Sequence, residues 1–208
     1  MSNRTRFKMQ RALGLELPGL GKPGALARRN YPPGQHGQSK NKKKLSEFGS
    51  QLREKQKLLF HYSLREEQLR RFVRNARAMQ HSNWVESLIS LLERRLDNVV
   101  FRLGFAPSIG AARQLVNHGH VMVNGRILTI GSAVLRVGDF IKLTAFASDM
   151  QSTVQSRQAP RLSMPGYLQF ALEGVTDHGI VRMLPSTEHV PFEFDPRQIA
   201  EYYAKLGV

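Results

Sequence analysis

The sequence predicts an α+β protein: a basic N-terminal arm and a helical subdomain, then a small mixed α/β unit (helix, helix, β-hairpin, strand) and a C-terminal helix. Three observations predict it. Apolar residues recur at helical spacing through 46–103. An Asn-Gly pair at 124–125 lies between two β-rich runs, a strong short-range hairpin signal. Nine glycines and prolines crowd residues 18–37, too many breakers for a long helix. The length of 208 residues allows one domain or two small ones, and 41% hydrophobic residues suffice for a packed core.

Residues 1–45 read as a basic extended arm that orders on a partner. Residues 46–93 read as the helical subdomain. Its first helix, near 51–62, carries Arg53, Lys55 and Lys57 beside Glu54. Ser63 and Glu66 fit a capping box ahead of the stripe Leu69, Phe72, Val73, Ala76 and Met79. The opposite face holds Arg70, Arg71, Arg74 and Arg77, with Glu66–Arg70 and Glu67–Arg71 as i,i+4 pairs. A third helix, near 84–103, is apolar through Val85, Leu88, Ile89, Leu92, Leu96, Val99, Val100 and Leu103.

The α/β unit spans 94–155. Ser108 caps a short helix reaching Val116, with Ala112, Leu115 and Val116 turned inward, and Gly119 ends it. The hairpin follows around Asn124-Gly125, then strands at 134–137 and 140–146. Residues 148–163 are polar and read as a linker or surface loop, and strands and loops run over 156–194. Asp195 caps a last helix with Pro196 at its first position, and its stripe of Ile199, Tyr202, Tyr203 and Leu206 needs a packing partner.

Charge narrows the function. Lys plus Arg number 31 against 16 Asp plus Glu, a net +15. Residues 1–83 hold 19 of the basic side chains and 5 of the acidic ones, so nearly all the excess lies there. A gradient this steep points to a polyanion-binding surface at one end of the chain. With no cysteine, disulfides, thiolate metal sites and cysteine nucleophiles are excluded. No run of 18 apolar residues occurs and the N-terminus lacks a secretory pattern. Glu16 and Pro23 break the P-loop spacing around Gly21-Lys22, and no Gly-x-Ser-x-Gly or His-Glu-x-x-His motif exists. His118 and His120 read as turn histidines rather than a metal pair. Arg95-Leu96-Asp97 resembles the surroundings of the catalytic aspartate of pseudouridine synthases in three residues only, and no large catalytic domain follows. The sequence therefore predicts no enzyme, cofactor or metal. At 8% aromatic residues without an interleaved basic platform, base stacking is not the main binding mode. Shape-led binding of folded RNA through phosphates and 2′-hydroxyls fits better.

Several segments occur together in order: Pro32-Pro-Gly-Gln-His-Gly37, Leu52-Arg-Glu-Lys-Gln-Lys57, Arg95-Leu-Asp-Asn-Val-Val-Phe-Arg-Leu-Gly-Phe105, Ala111-Ala-Arg-Gln-Leu-Val116, His118-Gly-His120, Val123-Asn-Gly-Arg126 and Val137-Gly-Asp139. In them the chain resembles the bacterial-type family of small-subunit ribosomal protein four, over roughly residues 30–145. The stretch near 94–155 resembles the small RNA-binding domain named after that family. The resemblance implies that the α/β domain is inserted and that the C-terminal helix 195–206 returns to complete the helical part. It implies a primary binder of small-subunit ribosomal RNA that nucleates assembly of the 5′ domain and lies near where messenger RNA enters. Neighbouring small-subunit proteins, and in some members messenger RNA, are the further partners, with no membrane involved. The implied location is the cytoplasmic small subunit, or an organelle ribosome.

By matched position, the RNA contacts implied are Gln35, His36 and Gly37 in the turn, and Arg53, Lys55 and Lys57 on the helix. Ser108, Arg113, Gln114, His118, His120, Asn124, Gly125 and Arg126 come from the α/β domain. Charge alone adds Arg4, Arg6, Lys8, Arg11, Arg28, Arg29, Lys40, Lys42, Lys43 and Lys44. The chain departs from the family at its opening, Ser2-Asn-Arg-Thr-Arg-Phe7 in place of Arg-Tyr-x-Gly-Pro, in lacking the N-terminal cysteine cluster of many members, and in its last helix. The departures keep a second reading open, a free translational repressor or an assembly paralogue on the same fold.

Overall fold

A computed structural model describes residues 6–21, 23–38, 45–79, 83–172 and 175–207. The helices are α1 (Arg6–Leu13), α2 (Ala25–Arg28), α3 (Glu47–His61), α4 (Glu66–Ala78), α5 (Trp84–Glu93), α6 (Leu96–Arg102), α7 (Ile109–Asn117), α8 (Ala145–Ser148), α9 (Gln151–Gln158) and α10 (Pro196–Lys205). The strands are β1 (Val121–Val123), β2 (Arg126–Ile127), β3 (Phe140–Leu143), β4 (Leu168–Leu172) and β5 (Val175–Val181). They form one antiparallel sheet in the order β2-β1-β3-β5-β4. The fold is α+β, and a single hydrophobic core runs from Leu13 through α3–α7 and the sheet to Tyr203.

The N-terminal segment differs from an extended arm. Among its breakers it still forms α1 and a 3-10 turn, Pro18–Leu20, and buries Leu13, Leu17 and Leu20. The breakers themselves allow this. Gly19 lies so close to His61 that a Cβ there would sit 2.5 Å from the His61 carbonyl oxygen. Its N–H donates to His61 Nδ1 at 3.3 Å. The Gln10 side chain, 1% exposed, accepts from the Leu17 N–H at 2.9 Å. Leu, Pro and Gly thus dock a short turn on α3, where composition alone suggested an unpacked chain.

In the helical part, Ser46 caps α3 by accepting from the Gly49 N–H at 3.1 Å. The Ser63/Glu66 capping box does not form. Ser63 takes a left-handed φ of 51°, and α4 instead starts after Arg65, whose N–H donates to the Gln68 side chain. Leu69, Val73 and Ala76 are fully buried, whereas Met79 ends the stripe in solvent. The continuous helix expected over 84–103 breaks at Arg95, which is extended. There the loop after the hairpin closes on the first turn of α6, with the Leu96 and Asp97 N–H groups donating to the Ala133 and Gly131 carbonyls. The break satisfies helix-start donors that would otherwise be orphaned. All eight apolar residues of the expected stripe are nevertheless buried.

The hairpin forms as read: Asn124 and Gly125 have φ of 49° and 79°, and Val123 pairs with Arg126. The strand expected at 134–137 is reduced to one bridge, Arg95 with Val134, because this segment bonds the α5–α6 break, where the Leu135 N–H donates to the Arg94 carbonyl and the Leu135 carbonyl accepts from Arg94 Nη1. The strand at 140–146 ends at Leu143, where Thr144 starts α8. The polar stretch expected as a linker contains α9. It has no apolar stripe; its buried residues are the small Thr153 and Ser156, and a Cβ at Gly104 would lie 3.8 Å from the Ser156 carbonyl oxygen. Helix α10 returns to α3: Phe48 stacks on Tyr202 at 5.7 Å, and Ser50, Gln51 and Glu54 bond Gln198, Glu201 and the Asp195 N–H.

Candidate nucleic-acid interface

Two buried polar clusters hold the helical part and the α/β part in one frame. In the first, Asp97 is wholly buried and accepts from Arg95, Nε at 3.0 Å and Nη2 at 2.7 Å. It also accepts from Arg113 Nε at 2.8 Å. The same Arg113 reaches across to the end of α3 and donates to the Ser63 and Tyr62 carbonyls at 3.0 and 3.1 Å. In the second, buried Glu93 accepts from the hydroxyls of Tyr62 and Tyr167 and from Asn98 Nδ2, with Arg102 Nε 3.7 Å away. Burial, and then the Glu93 carboxylate, pushes both tyrosine pKa values well above their ordinary range, so both hydroxyls stay protonated donors. Asp97 is thus a strut between two guanidinium groups, sealed from solvent.

The structure sorts the sequence-predicted residues. Arg6, Lys8 and Arg29 are exposed, and so are Gln35 and His36. The turn carrying the latter two is tight: a Cβ on Gly37 would fall 1.9 Å from the Pro32 carbonyl oxygen, so only glycine fits. Arg11 is half-buried, donates to the Tyr31 and Pro32 carbonyls and lies over the Tyr31 ring, fixing this turn on α1. Gln114, His118, Asn124, Gly125 and Arg126 are exposed at the α7–hairpin edge, with His120 half-buried beside them. Asn124 braces the hairpin by donating to Asp139 and accepting from the Phe140 N–H, both at 2.9 Å. Arg4, Lys40, Lys42, Lys43 and Lys44 lie outside the described residues, as does the side chain of Arg28.

Five expected contacts are spent inside the protein. Arg53 donates to the Ala12 carbonyl at 3.0 Å. Lys55 is 7% exposed and pairs with Glu66 at 2.7 Å. Lys57 pairs with Glu54 at 2.6 Å and donates to the Glu193 carbonyl. Arg113 is the strut described above. Ser108 is 4% exposed and caps α7 through the Ala111 N–H, while Gly21 packs directly on it and closes that helix end to an anion. Sequence pattern gives residue type and spacing but not which cations find an internal carboxylate or carbonyl. Helix α4 carries exposed cations outside the expected contacts. Glu66 does pair with Arg70 at 3.3 Å, but Arg65, Arg71 and Arg74 are exposed and extend the basic surface. The arginine face opposite the apolar stripe carried the signal for Arg71 and Arg74.

The described surface is therefore a braced scaffold with exposed cations on α1, α4 and the hairpin and the exposed polar side chains Gln35 and His36 on the 32–37 turn. Comparison with known proteins finds two family patterns along the chain. The pattern described as the ribosomal protein S4/S9 N-terminal domain covers residues 3–93, and the S4 domain covers 94–141. The small ribosomal subunit protein uS4B of Bdellovibrio bacteriovorus is 53% identical over 97% of this chain and 96% of its own length. The chain belongs to the uS4 family of ribosomal proteins. Small ribosomal subunit proteins uS4 of Methylobacillus flagellatus and Acaryochloris marina are 49% and 46% identical, each over at least 95% of both chains. The boundary between the two uS4 family units falls between Glu93 and Arg94, where the two buried clusters join them. Among the described residues no helix is long and apolar enough to cross a membrane.

Proposed function

We propose that this chain is a non-catalytic constituent of the small ribosomal subunit that binds small-subunit ribosomal RNA. The observation that carries the reading is the distribution of exposed cations on one braced scaffold in a uS4 family member. Arg6, Lys8, Arg29, Arg65, Arg71, Arg74 and Arg126 meet phosphates, Gln35, His36, Gln114 and His118 add polar contacts, and Arg53, Lys55, Lys57, Ser108 and Arg113 position the elements that carry them. The charge gradient and the motif set also support binding early in assembly, at the 5′ domain, on the side where messenger RNA enters and beside neighbouring small-subunit proteins. Messenger RNA is a further partner on this reading, and the chain works inside the cytoplasmic subunit.

Phosphate neutralisation by several cations releases counterions, so affinity for a transcript of bacterial small-subunit ribosomal RNA falls by about three orders of magnitude or more between 50 and 200 mM salt. Filter binding across that range checks it. A salt-independent affinity would refute the phosphate-led mode.

A further inference from the structure

Three aromatic rings form a row on the surface of the α/β domain that charge does not explain. His118 and His120 lie 6.1 Å apart between ring centroids, and His120 and Phe146 lie 5.5 Å apart. Phe146 is 69% exposed, the highest value among the large apolar side chains described. Beside the row, Ile127 is 58% exposed and packs near Gly119. The rings are held in place rather than splayed by chance. The Thr144 N–H donates to the His120 carbonyl at 3.0 Å, and the Thr144 side chain caps α8, the short helix that carries Phe146. Among the described residues, neither histidine has a side-chain hydrogen bond or ion pair, so their ring N–H groups remain to serve a ligand. Exposed Lys142 on β3 pairs with Met122, two residues after His120, and so supplies positive charge on the sheet face that also carries Ile127.

We propose that His118, His120 and Phe146 form a stacking site for an unpaired nucleobase, separate from the phosphate contacts. The proposal rests on the reading of the chain as an RNA binder and adds to it a contact that reads a base face. Apolar ring surface left open in a positively charged neighbourhood fits a base, which offers a flat π-face on a polyanionic backbone. A protein partner would use the apolar surface equally but has no need of the adjoining Lys142.

The test titrates a transcript of bacterial small-subunit ribosomal RNA with the full chain at several salt concentrations. Phe146→Leu weakens binding roughly ten-fold and leaves the salt slope unchanged, because stacking releases no counterions. Phe146→Trp binds at least as tightly as the parent, and its added fluorescence is quenched by RNA. Arg126→Ala, by contrast, lowers the salt slope by about one. Phe146 is on the surface, and an unchanged melting curve for both variants verifies folding. Parental affinity in Phe146→Leu, or unquenched tryptophan emission in the complex, would overturn the stacking site, with protein docking then the use of this face. Failure of the unmodified chain to bind the transcript would overturn the RNA reading itself.

Discussion

At the scale of single residues, the buried polar groups decide more than the surface charges. Removing Asp97 leaves Arg95 and Arg113 without their common partner in a site that solvent does not reach. Asp97→Ala should cost about 3–5 kcal/mol in denaturant unfolding, as expected when one partner of a buried ionic cluster is deleted. A loss under 1 kcal/mol would contradict the strut role. His61 offers a pH test. It is fully buried, and burial first, then Arg102, lowers its pKa from 6.5 to about 3. Between those values the unfolded chain binds a proton that the folded chain does not, so stability is present above pH 6.5 and is lost as pH falls toward 3. From pH 7 to pH 5 this group alone removes about 2 kcal/mol. His61→Gln keeps a side-chain acceptor for the Gly19 N–H and should abolish that part of the pH dependence. Identical pH profiles for the two proteins would contradict it. The Asn124-Gly125 turn and the Ser108 cap were legible from the sequence, because local backbone chemistry determines both. The internal roles of Lys55 and Arg113 were not. Their partners, Glu66 and the Tyr62 and Ser63 carbonyls, arrive only with the tertiary fold.

At the scale of elements, helix α4 separates two uses of one sequence pattern. Its apolar stripe packs Leu69, Val73 and Ala76 into the core, and its far side turns Arg71 and Arg74 to solvent. Replacing both arginines by alanine should weaken RNA binding and lower the salt slope by about two while leaving the melting temperature unchanged. An unaltered slope would make this face only a solvated one. Periodicity made α3, α4 and the α5–α6 core legible. It was blind to α9, where the buried residues are Thr153 and Ser156. It also missed α1, where breakers two turns later dominated the composition. The 134–137 segment shows the opposite failure: its residues Val134 and Leu135 bond the Arg94–Arg95 link between α5 and α6 instead of extending the sheet.

At the scale of the whole molecule, charge is carried at the periphery and rigidity at the junction. Glu93, Asn98, Arg102, Tyr62 and Tyr167 link the N-terminal family unit to the α/β unit and to the C-terminal strands. Helix α10 then closes the chain back onto α3. The cations of α1, α4 and the hairpin are thereby set in fixed relation, which suits recognition of one folded RNA surface rather than a flexible strand. The α+β class and the return of the last helix were legible from the hairpin signal, the helical stripes and the family resemblance. The two buried clusters were not, because the links that span the two units, Tyr62 and Tyr167 to Glu93 and Arg113 to the Tyr62 and Ser63 carbonyls, join residues 31 to 74 positions apart. The measurement that tests the central reading most directly is sedimentation of the tagged chain from its own cells, with its copy number counted in each ribosomal fraction. About one copy per small subunit, retained through a moderate-salt wash, is the expected result. A chain found mainly in light fractions, or far below one copy per subunit, would contradict it.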